Sequence, residues 1–180
     1  MTDLDPTLHT NLHSKPHPNL HRLAEQAVTG AIDRGITAAT AESLTAGMVS
    51  AVLADTPGAS GMLQGGVVSY ANSVKAGVLG VPGELLDAVG SVDGQVAAAM
   101  AAGARRVCGA DIGVSTTGVA GPEPHDGQAV GTVYIGIATA EGSTSYRYSF
   151  EGTRAEIRAL ACGAALERLL EALSSEGYPA

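Results

Sequence analysis

ITAATAESLTAG, residues 36–47, holds the pattern from which the rest of the chain can be read. A short apolar run, Ile36 to Ala41, predicts a buried strand. Thr45 to Ala54 predicts the helix that follows, stopped by Asp55-Thr56-Pro57-Gly58. The residues between put Ser43 and several small side chains at a strand-to-helix junction. First-turn N–H groups of a helix have no intrahelical partner, so they can hold an anion or stabilise an oxyanion. A site is expected at this junction before any other.

On either side the same alternation continues. Leu20, Leu23, Ala24, Ala27, Val28, Ala31 and Ile32 follow helical spacing up to Gly35. GGVVSY (65–70) predicts a second strand, followed by short helices around Ser73–Leu79 and Pro82–Ala88 and an alanine-rich one over Asp93–Val107. DIGVSTT (111–117) predicts a third strand, and Gly118 to Gln128 a Gly/Pro-rich loop. Val130–Ala138 and Ser143–Phe150 predict a hairpin turning at Glu141-Gly142, and Thr153–Leu173 a closing helix. Strands alternating with helices require crossover connections, while the late hairpin adds an antiparallel member. The expected fold is an α/β, three-layer α/β/α sandwich around a mixed, mainly parallel sheet of about five strands.

One domain of residues 19–176 is expected behind a Pro/His-rich tail, residues 1–18. His9, His13, His17 and His21 recur every four residues, as a helical metal site would require, but Pro16 and Pro18 break such a helix. The tail is expected to be solvated, and no metal site is expected. Ten basic residues against 18 acidic give a net charge of −8, which disfavours nucleic acid and anionic membranes as partners. With one Phe, five Tyr and no Trp, the stacking platforms used on single strands are scarce. Cys108 and Cys162 fall in helical segments and read as small core residues, which suits a cytoplasmic compartment. The N-terminus shows no signal-peptide pattern and no stretch is long enough to span a membrane.

Ser43 is the leading nucleophile, although it or Thr45 can equally be a helix N-cap. Ala41 and Thr45 replace both glycines of the G-x-S-x-G elbow, so an α/β-hydrolase is disfavoured. For a base, His125 is the only histidine of the body beyond the first helix, and it sits in a loop. Lys75 is one of two lysines in the chain, the other being Lys15 in the tail. Burial would lower its pKa so that it can take a proton, with Tyr70 to relay it. The alternative is a surface lysine beside a half-buried tyrosine. The Thr117, Gly118 and Gly121 region can present backbone N–H groups to a phosphate, or be an ordinary turn. Arg154 and Arg158 open the last helix and can grip a phosphate or pair with Glu151 and Glu156. Glu42 either orients the site or caps a helix.

Five stretches in order, AESLTAG (41–47), GGVVSYANSVKAGVLGV (65–81), GADIGVSTTGVAGP (109–122), VGTVYIGIA (130–138) and GTRAEIR (152–158), resemble the C-terminal domain of the CinA family, the nicotinamide-nucleotide amidohydrolases. The similarity runs from about residue 20 to 173. The resemblance implies hydrolysis of the carboxamide of nicotinamide mononucleotide to nicotinate mononucleotide and ammonia, with no cofactor. On the family's motif fall Ser43, Tyr70 and Lys75 as catalytic residues. Glu42, Thr45, Ala46, Gly47, Thr117, Gly118, Gly121 and Arg154 fall on or near the substrate-binding positions, with first-turn amides around Thr45–Gly47 stabilising the oxyanion. The expected partners are the nucleotide and further copies of the chain in a homo-oligomer. Two departures stand out. Ala46 replaces a family glycine, so its methyl is expected to narrow the pocket, and Glu123-Pro124-His125-Asp126-Gly127 replaces a glycine-rich loop, adding acidic groups near an anion site.

Two rival readings use the same residues. One is a nucleotide-binding module without turnover, linked to competence or DNA damage, against which the joint presence of Ser43, Tyr70 and Lys75 argues. The other is a short-chain dehydrogenase, excluded by the Tyr-to-Lys spacing of five and the missing G-x-G-x-x-G.

Overall fold

The computed structural model describes residues 19–175. Its elements are α1 (Leu20–Arg34), β1 (Ala38–Glu42), α2 (Met48–Ala54), β2 (Leu63–Val68), α3 (Asn72–Gly77), α4 (Gly83–Val89), α5 (Gly94–Cys108), β3 (Ile112–Gly118), β4 (Thr132–Thr139), β5 (Gly142–Ser149) and α6 (Arg154–Ser175). The strands form one sheet in the order β2-β1-β3-β4-β5. β1 pairs in parallel with both β2 and β3, and the hairpin continues the sheet in antiparallel fashion. Four strands therefore run one way and β4 runs against them, the three-layer, mainly parallel sandwich expected.

Side chains of a strand alternate between faces, and β1 shows what that sorts. Ala38 packs in the larger core with α1, α2 and α6, while Ala39 and Ala41 pack in a second core with α5 and the α3–α4 segment. The layer carrying α5 lies very close to the sheet. A Cβ on Gly113 would sit 2.0 Å from the Ala101 carbonyl oxygen, and one on Gly136 2.2 Å from that of Ala97. An alanine-rich helix over a glycine-bearing sheet is thus a packing requirement.

Elements begin and end where capping groups stand. Asn19 accepts from the Arg22 N–H at the start of α1, Gly35 closes it with φ 64°, and Asp93 caps α5. Element boundaries fall within about two residues of expectation, except one. The second helix starts at Met48 rather than Thr45, because residues 44–47 form a turn in which Ala46 (φ 52°) and Gly47 (φ 95°) are both left-handed. A turn of that hand cannot be part of a right-handed helix.

Parallel pairing brings the C-terminal ends of β1, β2 and β3 to one sheet edge, with Glu42 level with Val68 and Thr116. The chain leaves β1 toward β2 on one side and returns to β3 on the other. Ligands of open α/β sheets bind at such a switch point.

Candidate active site

Glu42, the last residue of β1, faces the α2 layer and is 1 % exposed. Its Oε2 accepts from the Thr45 hydroxyl at 2.7 Å and from the N–H groups of Gly47 and Val49 at 2.9 and 3.0 Å. Its Oε1 accepts from the Ser50 N–H and hydroxyl, both at 2.8 Å, and from the Thr40 hydroxyl at 3.3 Å. Thr45 also meets Thr116 at 2.7 Å. The amides expected to stabilise an oxyanion are therefore largely occupied: Gly47 by Glu42, and Ala46 by the Ser43 carbonyl. Leu44 and Thr45 are the turn residues whose N–H groups meet no acceptor among the described residues. Glu42 orients the turn from beneath and makes no part of the cavity wall, nor do Thr45, Ala46 and Gly47. Ala46 is exposed, so its methyl leaves the pocket width unchanged.

The turn is also held from outside. The Ser43 N–H donates to the Thr116 carbonyl at 2.9 Å. Arg158, at the start of α6, donates from Nε to the Leu44 carbonyl at 2.9 Å and from a terminal nitrogen to that of Thr45 at 2.8 Å. That bidentate grip is on the backbone, so Arg158 clamps the turn and is not free to take a phosphate bidentately.

Above this turn stands Lys75, carried by α3 and 1 % exposed. Its Nζ lies 2.9 Å from the Ser69 carbonyl, 3.3 Å from the Tyr70 carbonyl and 3.2 Å from Ser43 Oγ. Burial pushes its pKa below the usual lysine value, with the Asp126 charge opposing. It is not a surface lysine. Tyr70 reaches Lys75 through its backbone carbonyl, whereas its phenol, on a residue 60 % exposed, accepts from Arg154 at 2.9 Å. Tyr70 and Lys75 are thus neighbours, but the phenol is directed to Arg154.

Ser43, Leu44 and Tyr70 line a cavity of about 330 Å³. Its other walls are Ser91–Val92, the segment Thr117–His125, and Arg154. The Thr117 hydroxyl is taken by the Ser91 carbonyl at 2.7 Å, and the Val119 N–H by Thr132 at 2.8 Å. The amides of this loop without an acceptor among the described residues are further along, at Ala120 and Gly121. Arg154 donates to the Gly121 carbonyl at 2.6 Å and to the Tyr70 phenol, closing one rim.

The comparisons with known proteins fall on this framework. The model of the CinA C-terminal domain matches residues 20–173. The chain belongs to the CinA C-terminal domain family. A CinA-like protein of Frankia casuarinae is 47% identical over 121 residues, 67% of this chain and 28% of that protein. A putative competence-damage inducible protein of Geobacillus kaustophilus is 48% identical over 131 residues, 72% and 32% respectively. The chain thus spans about a third or less of the length of these curated relatives. Among solved structures, the competence damage-inducible protein A of Klebsiella pneumoniae superposes with a TM-score of 0.85 at 31% identity, covering 88% of this chain and 99% of that one. A competence/damage inducible protein of Agrobacterium tumefaciens gives 0.82 at 33%, covering 87% and 96%.

Other groups of this CinA domain have defined places. Cys162 is buried and its thiol is pushed up to about 12, by burial first and then by the Glu42 carboxylate, so it is inert as a nucleophile at neutral pH. Both cysteines are free. His9, His13 and His17 lie outside the described residues, and His21 stands exposed on α1. Among the described residues, no three His, Cys, Asp or Glu side chains gather as a metal site would need, and no helix is long and apolar enough to cross a membrane. Ser91 was not anticipated in the wall, because it stands in a connection between helices where no periodic pattern points.

Proposed function

We propose that this CinA domain is a cytoplasmic amidohydrolase acting on nicotinamide mononucleotide, with Ser43 as nucleophile and Lys75 as its base. One observation carries the reading: the surroundings of Lys75 Nζ. Two of its three contacts are carbonyl oxygens, which can only accept, so two N–H groups point to Ser69 and Tyr70 in every protonation state. The third direction faces Ser43 Oγ. In the neutral amine that direction holds the lone pair, placed to receive the serine proton, and burial favours the neutral amine.

The steps follow from that geometry. Lys75 takes the Ser43 proton as Oγ bonds to the carboxamide carbon, and the carbonyl π pair moves to oxygen. The amide proposed to receive that oxyanion is that of Leu44, which lines the cavity, a donor worth about 3 kcal/mol in such a role. The intermediate collapses by breaking the C–N bond, with Lys75 returning the proton to the departing nitrogen, and ammonia leaves. Water then attacks the Ser43 ester, giving its proton to Lys75, and Ser43 recovers it as nicotinate mononucleotide is released. Tyr70 is assigned to the cavity wall beside the pyridine, and Arg154 with the Ala120 and Gly121 amides to the phosphate.

The test is ammonia release from nicotinamide mononucleotide by the wild type, Ser43→Ala and Lys75→Arg, each first shown to be folded by circular dichroism. The wild type is expected to turn over and both variants to lose nearly all of the rate, since arginine keeps the charge but cannot deprotonate. An active, folded Ser43→Ala protein would falsify the mechanism. A wild type that binds the nucleotide without releasing ammonia would leave a binding module instead.

A further inference from the structure

Glu123–Gly127 continue the loop past the Ala120 and Gly121 amides, with Glu123, Pro124 and His125 in the cavity wall, and have no role in the steps above. His125 and Gln128 exchange both backbone hydrogen bonds, at 3.1 and 2.8 Å, around Asp126 (φ 49°) and Gly127 (φ 71°). Two left-handed residues between a paired couple make a type I′ turn, which an Asp-Gly pair favours. The turn projects the Asp126 carboxylate onto the connection between α4 and α5. There Oδ2 accepts from the Ser91 N–H at 2.5 Å and the Ser91 hydroxyl at 2.7 Å. Gly90 makes the approach possible, because a Cβ at that position would lie 2.7 Å from the Asp126 carboxyl. The Ser91 carbonyl in turn accepts from Thr117 of β3. Strand, connection and loop tip are thereby tied in one chain of hydrogen bonds, and Ser91, Thr117 and His125 all line the cavity that Ser43 lines.

We infer that Asp126 is a positioning residue, a latch that fastens the loop of residues 120–128 to Ser91 and so holds that wall of the cavity in place for a bound nucleotide. The inference rests on the reading of the cavity as a nucleotide site. Its electrostatics reach further. Partial burial works against charge on Asp126, but the Ser91 hydroxyl and N–H, His125 (Nε2 to Oδ1, 3.4 Å) and the Val92 N–H outweigh it and hold the carboxyl below the usual aspartate range. The group is therefore an anion at neutral pH. Around Lys75 stand Ser43 and the two backbone carbonyls, and the ionisable side chains lining the cavity are Tyr70, Glu123, His125 and Arg154. The Asp126 charge favours the Lys75 ammonium against burial.

Asp126→Asn tests this, because asparagine accepts a left-handed backbone and so preserves the turn while losing the charge. Ser91→Ala removes one hydrogen bond and leaves the charge. Three readouts apply to each folded protein: amide hydrogen exchange of residues 120–128, the kcat and KM for nicotinamide mononucleotide, and titration of the lysine side chains by carbon-13 labelling. The last is simple here because Lys15 and Lys75 are the only lysines. Asp126→Asn keeps an acceptor oxygen for both Ser91 donors but weakens two charge-assisted bonds to neutral ones; it is expected to speed exchange in the loop, raise KM about three- to ten-fold, and move the Lys75 titration to lower pH. Ser91→Ala is expected to raise KM while leaving that titration in place. Loop exchange unchanged in both Asp126→Asn and Ser91→Ala overturns the latch, and an unmoved Lys75 titration in Asp126→Asn overturns its action on the lysine. If the wild type releases no ammonia, the reaction assigned above fails, while exchange and titration still decide the role of Asp126.

Discussion

Glu42→Gln is the substitution that most directly tests how the Ser43 turn is built. The side chain keeps its shape but exchanges one acceptor oxygen for a donor NH₂, in a place where six donors converge. The NH₂ will settle where hydroxyls can rotate to accept from it. That is the Oε1 position, facing Ser50 and Thr40 hydroxyls and a single backbone N–H, since Oε2 faces the two amides of Gly47 and Val49. The Ser50 N–H then loses its acceptor, which costs about 1–3 kcal/mol. The Gly47 and Val49 bonds weaken from charge-assisted to neutral, by roughly 0.5–1 kcal/mol each. A loss of about 2–5 kcal/mol is expected, and at this domain size roughly 2–4 °C of Tm accompanies each kcal/mol. Urea unfolding followed by far-ultraviolet circular dichroism gives the value, provided the m-value is unchanged. A Glu42→Gln protein within about 0.5 kcal/mol of the wild type would refute the account of Glu42 as the group that organises the turn.

Two further outcomes follow from the same geometry. Ala46 holds φ 52° and is exposed, so Ala46→Gly should relieve left-handed strain and gain about 0.5–1 kcal/mol; a urea midpoint below the wild type's would show that the methyl makes a contact worth more. If Arg154 holds the phosphate, nicotinamide riboside should have a kcat/KM about 10- to 100-fold below that of the mononucleotide, the worth of a charge-assisted contact, and Arg154→Ala should narrow the gap; equal values in the wild type would remove the phosphate assignment and leave Ser43 and Lys75 untouched.

Periodicity and punctuation in the sequence carried the fold because its elements obey local rules. α1 stops at a left-handed glycine and α5 starts at an aspartate cap, both visible as residue types. The start of α2 was misplaced because Ala46 is a non-glycine residue in a left-handed conformation, for which the sequence carries no local signal. At the site, Ser43 and Lys75 are 32 positions apart, and their approach depends on the parallel register of β1 with β2, fixed by the whole sheet. Glu42 and Arg158 are the harder case. Both are charged residues whose types suit a ligand, yet Glu42 is taken up by hydroxyls and N–H groups of β1, the turn and α2, and Arg158 by carbonyls of the turn, and only three-dimensional packing decides between those uses. The Asp126 latch was half visible: Asp-Gly marks a turn, but nothing local says that it reaches Ser91.

The environment of Lys75 separates a structural lysine from a chemical one. A lysine buried for stability is normally compensated by a carboxylate in contact, because an unpaired ammonium is costly to desolvate. Here the contacts are two carbonyls and a hydroxyl, and the Asp126 charge only partly offsets burial. The sign of the linkage follows. The folded pKa lies below the usual lysine value, so between the two the unfolded chain binds more protons and stability rises with pH. Below the folded pKa the full cost of the buried ammonium is present. At neutral pH this group therefore works against the fold, and stability gives no reason to put it there. What the arrangement does provide is an amine whose two N–H groups are fixed by Ser69 and Tyr70 and whose remaining valence faces a serine held by Thr116, at the head of a turn that Glu42 and Arg158 clamp. The proposed roles of Lys75 as base and Ser43 as nucleophile account for such a cost, and that is why the proposed chemistry centres on them rather than on the more exposed Tyr70 and His125.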